Sequence, residues 1–157
     1  MEESKEQPDQ PPPTNITVQG DANVNYNWLE EHTISVLRFL RKEQSEVAVR
    51  VVDDVDMAEL HVKHSGVCGT TDVLTFDHGS TEDSVHADIA VCIDVAQREA
   101  ESRAHALENE LLLYIVHGIL HCCGFDDHDE ESNQQMHAEE DKILSAIGVG
   151  PVWSNKQ

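Results

Sequence analysis

Two histidines, His117 and His121, stand four residues apart in an apolar, helical stretch of the segment 117–128, HGILHCCGFDDH. Positions i and i+4 share one face of a helix, so both imidazoles can be offered to one metal ion. Gly124 follows three residues later and suits a helix end, where the chain turns back through a left-handed residue. That turn can raise Asp127 or His128 as a third ligand. Imidazole and carboxylate are both ordinary zinc donors, so the choice stays open on chemistry alone. Three protein ligands with an open fourth position describe a catalytic zinc site rather than a structural one. The chemistry expected is metal-assisted hydrolysis, in which the ion acidifies water and polarises the bond under attack.

A single histidine on an apolar face is usually a satisfied core residue, and the acidic loop around His128 can be read as solvated surface. The i, i+4 pair followed by a glycine turn and a third donor favours the metal reading over both. In zinc peptidases of the H-E-x-x-H type, a glutamate follows the first histidine and acts as base. Here that position is Gly118, so a peptidase would need its base from elsewhere. Glu110 lies seven residues before His117, on roughly the same helix face; it is the candidate base or ligand-orienting residue, against the plainer reading of a solvent-facing or cap-proximal glutamate. The catalytic residue otherwise stays unassigned, beyond water activated by the metal.

The histidine helix, about 106–123, needs a scaffold. A short strand is expected at 15–18. Asn27 with Glu30 has the pattern of a helix cap, and apolar residues at 28, 29, 36, 37 and 40 carry that helix to about Lys42. Residues 46–52 alternate as a half-buried strand. Asp54 or Asp56 can cap a helix through His64, and 65–71 reads as a loop. Strands are expected at 72–76 and 88–93, separated by a polar loop over 77–86. Asp94 is the expected cap of a helix through Arg103. A last helix over 130–147 turns Met136, Ile143 and Ile147 inward and stops at Gly148. This order predicts an α+β fold: a small mixed four-stranded sheet packed with about five helices, the metal site on a central helix.

The length of 157 residues is one domain's worth. Residues 1–14 are charged and proline-rich, with no apolar core of a secretory signal, and are expected to be a disordered tail. The domain is expected over 15–150, with a C-terminal tail at 151–157. Cys68, Cys92, Cys122 and Cys123 show no CxxC spacing and read as reduced thiols of a cytoplasmic protein. No apolar run reaches membrane-spanning length. The formal charge of −21 argues against a nonspecific grip on nucleic acid, which depends on Lys and Arg.

Three segments in order resemble the YbeY endoribonuclease family. The family signature H-G-x-L-H-L-x-G-Y-D-H is similar to residues 117–127, T-D-V-L-S-F to 71–76 (TDVLTF), and G-D-I-x-I-x-x-x-x-A to 87–96 (ADIAVCIDVA). A helix with a methionine and a closing glycine, Met136 to Gly148, completes a match over about 45–148. The resemblance implies a zinc-dependent endoribonuclease specific for single strands. It implies one zinc ion per chain, roles in ribosomal RNA 3′-end maturation and ribosome quality control, and the small ribosomal subunit as partner. It carries over His117 and His121 as ligands. The family's third histidine falls at Asp127, with His128 one residue later. Phe125 stands for the family tyrosine. Ser65 stands where the family has an arginine before T-D-V-L-S-F, which leaves Lys63 and His64 as candidate substrate contacts. The competing readings are a zinc peptidase and a ribosome-assembly factor that keeps its metal for stability.

Overall fold

The computed structural model describes residues 15–153; the expected tail at 1–14 lies outside them, as does the end of the chain from 154. In chain order the elements are β1 (Asn15–Gly20), α1 (Tyr26–Phe39), β2 (Glu46–Val52), α2 (Asp54–Ser65), β3 (Val73–Asp77), β4 (His86–Cys92), α3 (Ile93–Arg103), α4 (Leu107–Cys122) and α5 (Glu130–Ala146). The sheet runs β1-β2-β4-β3. β1, β2 and β4 are parallel, and β3 joins the edge antiparallel to β4. The α+β class, the mixed four-stranded sheet and the five helices are those expected from the sequence. Among the described residues, no helix is long and apolar enough to cross a membrane.

Alternation in the strands divides the core between two faces. Val47, Val49 and Val51 of β2, with Ala87, Ile89 and Val91 of β4, face the main core under α1, α4 and α5. Val52, Ala90 and Cys92 point the other way and pack with Met57 of α2 and Leu74 of β3. β4 is therefore covered on both sides, which explains its run of apolar residues.

Three helix starts differ from expectation. Asn25, not Asn27, caps α1 by accepting the Trp28 N–H at 3.0 Å. Glu30 instead accepts the Val18 N–H at 3.0 Å and ties the helix to β1. Asp53, not Asp54 or Asp56, caps α2, accepting the Asp56 N–H at 2.9 Å. Asp94 lies inside the first turn of α3 and accepts the Asp54 N–H at 2.8 Å; Cys92 holds the cap position, and its side chain makes no capping bond to the helix. Each segment offers several short acceptors within one turn, and contacts with neighbouring elements select among them. α1 also stops at Phe39, before Lys42, as Arg41 turns the chain at φ 63°. Of the segment read as a C-terminal tail, the described part packs on the domain: Val152 is buried, and the Trp153 N–H bonds Asp141 at 2.9 Å.

Candidate metal centre

α4 is buried on nearly every side, with Leu111, Leu112, Ile115, Val116, Ile119 and Leu120 in the core. It comes close to the sheet at Gly118. A Cβ there would stand 2.7 Å from Thr75 Oγ1 and 3.1 Å from Ile89 Cδ1. The position that carries a catalytic base in H-E-x-x-H peptidases is thus a packing contact with β3 and β4. This close approach sets His117 and His121 at the floor of a cleft beside β3. Beyond α4, Gly124 takes φ 97°, and the Phe125 N–H returns to the Leu120 carbonyl at 3.0 Å. This turn brings Asp127 back over the histidines.

Their reactive atoms converge. His117 Nε2 and His121 Nε2 are 3.1 Å apart, and Asp127 Oδ2 lies 3.5 Å and 3.9 Å from them. The far sides of both rings are committed. His117 Nδ1 donates to Glu140 Oε2 at 2.6 Å, and His121 Nδ1 to the Phe125 carbonyl at 3.2 Å. A carboxylate and a carbonyl can only accept, so the neutral imidazoles carry their protons on Nδ1. Two Nε2 lone pairs then face each other beside an anionic oxygen, an arrangement that calls for a cation. Donors about 2.0–2.2 Å from a tetrahedral zinc stand about 3.3–3.6 Å apart, close to the spacing here. The residues present fit a zinc ion held by His117, His121 and Asp127.

The electrostatics follow the same geometry. Burial alone would lower the His117 pKa, but the Glu140 hydrogen bond and charge, with Asp127, raise it above the ordinary value. Burial and the neighbouring His117 depress His121, against the pull of Asp127. Burial pushes the Glu140 carboxyl up, yet hydrogen bonds from His117 and His137 outweigh this and hold it below its ordinary value.

The other expected site residues fall out as follows. His128 points away, its side chain 84% exposed and its ring on Asp126 Oδ1 at 3.2 Å. Glu110 is neither solvent-facing nor a cap. It is fully buried and receives Arg103 Nη1 at 2.9 Å and His105 Nε2 at 2.6 Å. Two clefts flank the cluster, of about 550 Å³ and 470 Å³, and His117 and Asp127 line both. His64 lines the smaller cleft and meets Phe76 edge-on at 4.6 Å. Lys63 is exposed at the end of α2 and lines neither cleft. Ser65 is also exposed, its hydroxyl turned to the His61 carbonyl at 3.0 Å. A second group, Asp54, Cys92 and Asp94, is already satisfied internally: Arg98 pairs with Asp54 at 2.9 Å, and the Cys92 thiol donates to it at 3.3 Å.

Sequence reasoning missed Glu140, His137 and Trp153. Glu140 receives His137 Nδ1 at 2.7 Å as well as His117, and the His137 ring stacks on Trp153 at 3.3 Å. The available signal was an acid on the inward stripe of α5, between Met136 and Ile143. An acid at a core position is rarely left without a partner.

Two imidazole nitrogens and a carboxylate, on and just beyond a buried helix beside a mixed sheet, define a candidate mononuclear metal centre in an α+β fold. The family model described as Endoribonuclease YbeY matches residues 15–148. Endoribonuclease YbeY of Bifidobacterium animalis subsp. lactis is 33% identical over 122 residues, covering 71% of this chain and 67% of the relative. That of Shouchella clausii is 34% identical, covering 69% and 76%, and that of Maricaulis maris 36%, covering 70% and 69%. A solution structure of TM1509 from Thermotoga maritima shares the fold, with a TM-score of 0.56 at 23% identity over 83% of this chain and 90% of that one. The chain belongs to the endoribonuclease YbeY family.

Proposed function

We propose that this protein is a zinc-dependent endoribonuclease that cuts single-stranded RNA. Its place is the cytoplasm, in ribosomal RNA 3′-end maturation and ribosome quality control, with the small ribosomal subunit as partner. The observation that carries the reading is the convergence of two imidazole Nε2 atoms and the Asp127 carboxylate, in a chain of this family. A zinc ion bound there supplies Lewis-acid polarisation of a phosphoryl oxygen and a stronger water nucleophile at neutral pH. The protein's own share is orientation. Glu140 and the Phe125 carbonyl fix the tautomers of His117 and His121, and the Gly124 turn sets Asp127. His64, on the wall of the smaller cleft, is the nearest candidate for a contact with the RNA backbone. The free cysteines suit a reducing compartment.

A second reading, an assembly factor that keeps its metal for stability, draws on Ser65. That side chain replaces the family arginine and bonds its own helix. Incubating the zinc-loaded protein with matched single-stranded and duplex RNAs, with and without chelator, separates the two. Endonucleolytic cuts in the single strand, lost with chelator and restored by zinc, are expected. Intact RNA in every lane would favour the assembly factor.

A further inference from the structure

The α5 side of the cleft carries a second imidazole that the metal site does not use. His137 is held on two sides. Its ring lies flat on Trp153, with 8° between the planes, and its Nδ1 donates to Glu140 Oε1 at 2.7 Å. The other oxygen of that carboxylate holds Nδ1 of His117. The two imidazoles lie 6.2 Å apart between centroids and 28° from parallel. His117 and His137 line the larger cleft together, and with its Nδ1 taken by Glu140, Nε2 is the nitrogen of His137 left for a substrate. The carboxylate–imidazole pair has the form used to fix the tautomer and aim of a general acid–base histidine. It stands about one substrate group away from the metal ligand.

Several neighbouring groups are spent on other contacts. Gly118 has no side chain, and Arg103 and His105 occupy the Glu110 carboxylate. The Tyr114 hydroxyl is turned to Glu110. His64 stands in the other cleft.

We infer that His137, as an imidazolium with its Nδ1–H held by Glu140, is the proton-transfer residue of the phosphodiester cleavage, its Nε2–H protonating the departing ribose oxygen. The inference rests on the ribonuclease reading. In the step, the oxygen of water bonds to phosphorus, and the bond from phosphorus to the departing oxygen breaks with its electron pair. The Nε2 proton goes to that oxygen. The proton released by the attacking water then returns to Nε2, so one water is consumed and His137 is restored. Glu140 is a positioning residue for both imidazoles.

The test uses zinc-loaded full-length protein and two substrates. One is a single-stranded oligoribonucleotide, whose leaving alkoxide needs a proton. The other is bis(4-nitrophenyl) phosphate, whose leaving phenolate does not. His137→Asn keeps an amide N–H for Glu140 and removes Nε2. His137→Gln is the alternative should the asparagine variant fold poorly. Relative to wild type, kcat on RNA should fall about 10²-fold or more, as for loss of a general acid. KM, zinc content and aryl-ester hydrolysis should change little. Equal losses on both substrates, or undiminished RNA cleavage, would overturn the inference while leaving the ribonuclease reading in place. A wild-type protein inactive on RNA would remove both.

Discussion

Glu140 touches two imidazoles at once, and its replacement reports on the site at the scale of single atoms. Glu140→Gln should weaken zinc binding by about 10–100-fold, the usual cost of losing an outer partner of a histidine ligand. Competition against a chromogenic chelator measures it. The same carboxyl is held below its ordinary value of 4.5. Its share of stability is therefore complete above that value and drains away as pH falls through the depressed one. Urea midpoints measured between neutral and acid pH should show a shallower acid limb in the glutamine variant; an unchanged limb would deny the carboxylate that role. At the proposed third ligand, Asp127→Ala should weaken zinc binding more than Glu140→Gln does, and His128→Ala should leave it unchanged. His117, His121 and Asp127 were legible in the sequence because helix periodicity and one glycine turn fix their relations locally. Glu140, His137 and Trp153 were not, because their roles depend on how α5 docks against α4. Glu110 was misread for a related reason: Arg103 and His105, from α3 and the turn after it, bury and pair a carboxylate that periodicity alone leaves undecided.

Elements place these atoms through two tight points. Gly118 lets α4 approach β3 and β4, and Gly118→Ala must displace Thr75 or Ile89. Overpacking of this kind costs about 1–3 kcal/mol, so the thermal midpoint should drop. The added Thr75→Ala change should recover part of the loss, because it removes the 2.7 Å contact. Equal midpoints for Gly118→Ala and wild type would refute the close approach. Ala104, which ends α3 at φ 58°, is the second point. Glycine there avoids the Cβ penalty of the left-handed region, and Ala104→Gly should stabilise by about 1 kcal/mol in denaturant melts. Strand and helix order was readable because period-2 and period-3.6 patterns are intrinsic to the chain. Cap positions were not, since neighbouring elements decide which of Asn25 and Asn27, or Asp53, Asp54 and Asp56, is used. Glu30 illustrates this: its carboxylate is taken by Val18 on β1, so the expected reciprocal cap has no partner left.

Across the whole molecule, a formal charge of −21 works against both compaction and RNA. Salt screens self-repulsion, so the melting temperature should rise between low and moderate NaCl. RNA binding should weaken over the same range, with a shallow slope, because only 10 Lys and Arg are present to displace counterions. A steep slope would contradict so small a number of contacts. The fold class follows from composition and pattern, whereas the way an acidic chain meets RNA depends on the few charges near the cleft, which pattern does not reveal. The central claim, that His117, His121 and Asp127 hold the one metal that makes this chain a ribonuclease, is tested most directly by titrating zinc into metal-free protein while following cleavage of single-stranded RNA. Activity should rise linearly and level off at one zinc per chain, and His121→Ala should stay inactive throughout. Cleavage that is full without zinc, or retained by His121→Ala, would contradict it.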